Sequence, residues 1–141
     1  MKSLTIFVFI IFLSVSIYFA FSLKKREKIK LNRESAWPEV LDLIISALQS
    51  GASISESLSN LGRVGPNAIK NAFKKFEEDV LSGKKFDDCL TDLKKEFADP
   101  ISDQLFECLY FAAKFGSKNT VKVLRELSEY VSADLALRAE I

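Results

Sequence analysis

Few side chains in this sequence could do chemistry, and their types and spacing argue against it. No histidine occurs among the 141 residues. That removes the commonest general base near neutral pH and the commonest transition-metal ligand. The carboxylates come as Glu77-Glu78-Asp79 and Asp87-Asp88. Neighbours on a helix point about 100° apart, so these cannot act together as an acid/base pair and read as solvated faces. Lys74-Lys75, Lys84-Lys85 and Lys94-Lys95 are spread among acids and read as surface. Cys89 and Cys108 each fall among apolar neighbours at helical spacing, in a compartment expected to be reducing, and read as small core residues. The five glycines (51, 62, 65, 83 and 116) lie singly near helix ends, so no loop cradles phosphate. There is no Gly-x-Ser-x-Gly elbow, and without histidine a Ser or Cys nucleophile would lack its usual base. The expectation is a non-enzyme with no cofactor, no metal and no small-molecule substrate.

The strongest feature is apolar. Residues 4–23 run 20 residues without a charge, and Lys24-Lys25-Arg26-Glu27-Lys28-Ile29-Lys30 follows at once. As a helix this run is roughly 30 Å long, the thickness of a bilayer's hydrocarbon core. Its hydroxyls (Thr5, Ser14, Ser16, Ser22) can turn back onto the helix's own carbonyls. A cleaved signal peptide would want a basic start, a shorter apolar run and small residues at the cleavage site. Ala20 and Ser22 imitate the last, but the run is too long and the charge lies on the wrong side. Residues 1–23 therefore read as a retained single transmembrane anchor. By the positive-inside rule the N-terminus is outside and residues 24–141 are cytoplasmic, at an inner (cytoplasmic) membrane.

The net charge of +1 conceals a segregation. Lys2 contributes one, residues 24–36 carry six basic against two acidic side chains, and residues 37–141 are left at −4. A mildly acidic domain behind a basic collar argues against nucleic acid. Lys24, Lys25, Arg26, Lys28 and Lys30 would meet anionic lipid headgroups at the inner leaflet, or serve only as a topology signal.

Residues 24–36 read as a basic juxtamembrane linker or a helical extension of the anchor. In 37–141 the periodicity is helical throughout. Pro38 suits the first turn of a helix that carries Val40, Leu41, Ile44, Ile45 and Leu48 until Gly51 stops it. Ser53-Ile54-Ser55-Glu56 is a capping box before Ile54, Leu58 and Leu61. Gly65-Pro66 is expected to open a helix with Ile69, Ala72, Phe73, Phe76 and Val80, ended by Gly83. Phe86, Leu90, Leu93 and Phe97 mark a short segment. Asp99-Pro100 supplies an N-cap and a first-turn proline for a helix through Ile101, Leu105, Leu109, Ala112 and Phe115, closed by Gly116. Asn119 or Ser117 can cap the last helix, with Val121, Leu124, Leu127, Val131 and Leu135. Strand and hairpin signals are lacking. The fold class is all-α: a single transmembrane helix followed by an antiparallel bundle of about six helices.

A weak repeat runs through the domain. Gly51 and Gly83 are followed by apolar residues at offsets of three, seven and ten, and Gly116 by Thr120, Leu124 and Leu127 one residue late. Gly51, Gly83 and Gly116 are expected to be structural, each holding a left-handed cap between helices. Leu105-Phe106 and Cys108-Leu109-Tyr110-Phe111 put apolar groups around most of their helix. Either that helix is central to the bundle, the favoured reading, or one face packs on another subunit. In the second case Phe106 and Tyr110, one turn apart, would form the exposed contact.

Trp37-Pro38-Glu39-Val40-Leu41-Asp42-Leu43-Ile44, followed by Ala47-Leu48-Gln49-Ser50-Gly51-Ala52-Ser53-Ile54 and Ser57-Leu58, resembles the opening of the type II secretion system F domain. The version is that of the TadB-like proteins of tight-adherence (Flp-type) pili. The stretch from Leu105 to Leu127, with its Ala112-Ala113-Lys114-Phe115-Gly116 junction, is similar to the family's second half, as is the tail Arg138-Ala139-Glu140. The resemblance covers roughly 37–141. It implies a polytopic inner-membrane platform protein with a six-helix cytoplasmic bundle. Such proteins assemble with a hexameric secretion ATPase and help pass its movement to pilin subunits. The implied partners are that ATPase, a second platform subunit or a second copy by self-association, and inner-membrane lipid. No nucleotide site and no catalytic residue carry over. Two departures stand out. The family usually continues beyond the Arg-x-Glu tail into a further membrane helix, whereas this sequence stops at Ile141, as a fragment or a shortened member would. Thr120 stands where the first two repeats have Ile54 and Phe86. The competing reading, from a different class, is a membrane-tethered helical adaptor or sensor scaffold unrelated to secretion.

Overall fold

The computed structural model describes residues 1–116 and 118–140, and these form six α-helices and no strand. They divide into two compact units, Met1–Asn32 and Arg33–Ile141. The first helix, α1 (Lys2–Gln49), contributes residues to both.

In the first unit the large apolar side chains of residues 4–23 are all exposed, and α1 is the one described helix long and apolar enough to cross a membrane. Water is a poor solvent for such a surface, and hydrocarbon a good one. Thr5 Oγ1 donates to the carbonyl of Lys2 at 2.9 Å, which leaves its hydroxyl satisfied within the helix. Residues 24–32 are helical too, so the basic run extends the helix. The physical reason is plain: residues 1–37 contain neither Gly nor Pro, and Lys, Arg, Glu and Leu are good helix formers.

Pro38 therefore starts nothing; it lies inside α1. Its ring removes the N–H that would bond the carbonyl four residues back, which in a helix interior costs about 3 kcal/mol. Burial outweighs that loss. Ala36, Trp37, Val40, Leu41, Ile44 and Ile45 are all buried in the second unit. Trp37 alone removes roughly 150–250 Å² from water, at about 25 cal/mol per Å².

The 33–49 part of α1 is joined in the second unit by α2 (Ile54–Val64), α3 (Lys70–Leu81), α4 (Phe86–Phe97), α5 (Pro100–Phe115) and α6 (Thr120–Ala139). Six helical members thus make the bundle, the first of them continuous with the apolar helix. Side-chain contacts fix their alternating direction. At one end, Trp37 meets Asp99, Arg33 meets Ala68 and Glu96, and Arg138 meets Glu34. At the other, Leu48, Ile54, Val80, Phe86, Ala112 and Gly116 line one cleft of about 630 Å³. Trp37, Phe73, Phe97 and Phe106 interlock at the centre with ring centroids 4.9–6.3 Å apart. Leu41, Ile44, Leu58, Leu61, Leu105, Leu109 and Leu124 close around them.

Helix boundaries follow local chemistry. Gly51 (φ 96°) and Gly83 (φ 91°) close matching Schellman motifs. In the first, Gly51 N–H bonds Leu48 and Ala52 N–H bonds Ala47; in the second, Gly83 bonds Val80 and Lys84 bonds Asp79. Gly116 differs: φ 104° with ψ 152° lies outside the left-handed helical region, in ground that only glycine occupies readily. The Ser53–Glu56 box forms in both directions, at 3.1 and 2.8 Å. Gly65-Pro66 does not open α3. Gly65 caps the end of α2 through its N–H to Leu61, Pro66 accepts from Ile69 across a turn, and α3 begins at Lys70. The buried Ile69 holds that turn against the core. Asn119 occupies the N-cap of α6 without a side-chain bond, and Ser117 lies outside the described residues.

Candidate functional site

The residues with chemical potential sit where they hold structure. Glu77 pairs with Arg63 at 3.5 Å, Asp79 with Lys75 at 2.8 Å, and Asp87 with Lys114 at 3.4 Å. Lys84 bridges Asp92 and Asp79, joining the end of α3 to α4. The hydrogen bond from Lys84 holds Asp92 below the usual carboxylate range and raises the Lys84 ammonium above its ordinary value. Lys114 is raised likewise by its bonds to Tyr110 and Asp87. Among the described residues no group of three or more His, Cys, Asp or Glu could hold a metal ion. Both cysteines are free thiols, Cys89 buried and Cys108 half-buried, and burial pushes each above its ordinary value. A thiol raised in this way is a poor nucleophile, because the thiolate is the reacting species.

Asp99, expected only as a helix cap, and Arg33, expected only in the basic run, organise one end of the bundle. Asp99 is only 4% exposed and uses both oxygens. Oδ1 accepts from the N–H groups of Ile101 (2.8 Å) and Ser102 (3.0 Å), and Oδ2 accepts from the indole of Trp37 at 3.2 Å. One carboxylate thus caps α5 and ties it to α1. Arg33, which in sequence belongs to the basic run, turns into the bundle instead. It donates to Glu96 Oε1 at 2.9 Å, to the Glu96 carbonyl at 3.2 Å and to the Ala68 carbonyl at 3.4 Å, and its guanidinium stands 5.0 Å from the centre of the Phe97 ring. The Asp-Pro step signalled the cap; nothing in the sequence paired it with Trp37.

Lys24, Lys25, Arg26, Lys28 and Lys30 are exposed. At 100° per residue they spread around the helix axis, so they form a collar rather than a stripe. Gly51, Gly83 and Gly116 lie at the ends of α1, α3 and α5, which alternation gathers at one end of the bundle.

Phe106 and Tyr110 do not form an exposed contact. Phe106 is 0% exposed in the aromatic core, and Tyr110 is half-buried, with its hydroxyl accepting from Lys114. The helix is central along that face, as its apolar girth implied. The open apolar groups of α5 are its neighbours Phe111 and Phe115, whose rings stack 6.0 Å apart. Across from them α6 exposes Val123, Tyr130 and Leu137. A seven-residue spacing separates these three, a second stripe beside the buried Leu124, Leu127 and Val131.

Residues 40–141 match the model of the family described as type II secretion system (T2SS), protein F. No curated protein and no solved structure matches the chain. Domains of this family occur in platform proteins of secretion and pilus machines, and together with the apolar N-terminal helix they point to membrane association. Because the match covers well over half of the chain and takes in the bundle from Val40 onward, the chain belongs to the type II secretion system protein F family.

Proposed function

We propose that this protein is an inner-membrane platform component of a tight-adherence (Flp-type) pilus or a type II-like secretion apparatus, coupling a cytoplasmic secretion ATPase to pilin assembly. The observation that carries the reading is the family match over 40–141, on a helical bundle preceded by a span-length apolar helix. The mechanism is mechanical rather than chemical. The ATPase docks on the bundle, and close-packed helices clasped by Arg33 and Asp99 pass its displacement to the anchor and so to the pilins. Close packing suits that task, because protein interiors transmit strain instead of absorbing it. The protein itself turns over no substrate and holds no cofactor.

In this reading the N-terminus lies outside and residues 24–141 face the cytoplasm, because the exposed Lys24–Lys30 collar resists translocation and meets anionic headgroups. The test pairs co-purification of the full-length chain with its cognate secretion ATPase and a deletion strain. ATPase capture together with loss of piliation or secretion is the expected result. Normal piliation and secretion in the deletion strain would sink the proposal.

A further inference from the structure

Pro38 gives α1 one weak turn. It has no N–H to offer the carbonyl of Glu34, so the helix is one bond short between residues 34 and 38. A proline loosens or kinks a helix unless its surroundings hold the turn. Here the surroundings hold it from several sides. Trp37, within the turn, is fully buried and bonded to Asp99. At the start of the turn, two adjacent side chains reach different elements. Arg33 grips the end of α4 through the carboxylate and carbonyl of Glu96, and the approach to α3 through the carbonyl of Ala68. Glu34 reaches α6 instead, where Arg138 donates to it at 3.5 Å while also pairing with Asp134 at 2.9 Å.

The two ion pairs share an asymmetry. On α1 the side chains of Arg33 and Glu34 are shielded, at 20% and 16% exposed; their partners Glu96 and Arg138 are open, at 53% and 58%. An incoming charge can therefore reach Glu96 or Arg138 without unpacking Trp37. It competes there with a partly exposed ion pair, which is a weak interaction and easily exchanged.

We infer that Arg33–Glu96 and Glu34–Arg138 form a releasable brace over a proline hinge. Closed, the brace keeps the 33–38 turn of α1 stiff. Opened from outside, by a basic side chain that takes Glu96 and an acidic one that takes Arg138, it lets that turn loosen. The inference does not rest on the secretion role, since it concerns only α1 and the two pairs that hold it.

The experiment follows amide hydrogen exchange by mass spectrometry in the full-length chain, reconstituted in lipid nanodiscs. Glu96→Gln combined with Arg138→Gln removes both pairs from the far side and leaves every side chain of α1 in place. Both positions are exposed, so folding is not at stake. Exchange over residues 30–37 should quicken about tenfold, through the loss of two charge-assisted bonds, while α2 and α5 keep their wild-type protection. Adding Pro38→Ala supplies the missing N–H and should return the segment to near its wild-type rate. Three results would each overturn the inference. The first is wild-type exchange over 30–37 in the double variant. The second is a rise that Pro38→Ala leaves in place, because the proline would then not be the hinge. The third is a rise of equal size in α2 and α5, because the pairs would then stabilise the bundle at large and brace nothing in particular.

Discussion

Asp99 Oδ1 satisfies two N–H groups at the start of α5, and Oδ2 satisfies the indole of the fully buried Trp37. Removing the carboxylate leaves orphaned donors with no route to water. Asp99→Ala should therefore cost about 2–4 kcal/mol, a cap worth about 1 and a buried unpaired donor worth about 1–3. Asp99→Asn, which keeps an acceptor, should lose less. Thermal unfolding of the full chain in detergent, followed by circular dichroism, measures both; equal melting of Asp99→Ala and wild type would show that the residue does neither job. The cysteines give a second prediction. Burial raises the Cys89 thiol above its ordinary value of 9.0, so the folded state favours the neutral form. That stabilisation is fully present below the unfolded value and is lost as pH rises through the folded one. Melting temperature should therefore fall as pH climbs above about 9, and Cys89→Ala should flatten the decline. Alkylation near neutral pH should be slow at Cys108 and slower still at Cys89, as peptide mass mapping would reveal.

The helices end and approach one another through two different uses of small residues. At Gly51 and Gly83 an added Cβ meets nothing within 4 Å, yet φ is positive. Alanine there pays only the backbone penalty, about 1 kcal/mol at each site. Gly62 is the reverse. Its Cβ would lie 2.9 Å from the backbone nitrogen of Lys74 on α3, so Gly62→Ala must push α2 and α3 apart, at a cost of about 1–3 kcal/mol. A melting series separates the mechanisms. A larger loss at Gly62 than at Gly51 is expected, and equal losses would mean that the α2–α3 approach is not set by that glycine. Ala98 ends α4 at φ 47°, ψ 44°, a left-handed residue with a Cβ. Ala98→Gly should leave the bundle as stable or slightly more stable, because relief of the left-handed strain is of the same order as glycine's entropic cost.

At the scale of the whole molecule, the proposed topology is open to direct measurement. A green fluorescent protein fused after Ile141 should fluoresce and an alkaline phosphatase at the same place should be inactive. Neutralising Lys24, Lys25, Arg26, Lys28 and Lys30 together should weaken that asymmetry, and a fusion pattern of the opposite sign would invert the proposed orientation. The helical class, the span-length apolar run, the Ser53 capping box and the Asp99-Pro100 start were legible in the sequence, because each rests on local chemistry within one turn or on periodicity along one helix. So was the family, through turn and apolar positions kept in order from Trp37 to Arg138. Tertiary structure alone decided the rest. Pro38 continues α1 because Trp37 and its neighbours are buried, and burial outweighs one missing hydrogen bond. Gly65-Pro66 closes α2 instead of opening α3, since Ile69 is drawn into the core first. Arg33 leaves the basic run to clasp residues 35 and 63 positions away, and Asp99 finds Trp37 at a separation of 62. Phe106 turns inward while Phe111 and Phe115 remain open, a choice made by which neighbouring helices cover α5. Periodicity shows that a helix has an apolar face, but which of two such faces is covered depends on partners distant in sequence.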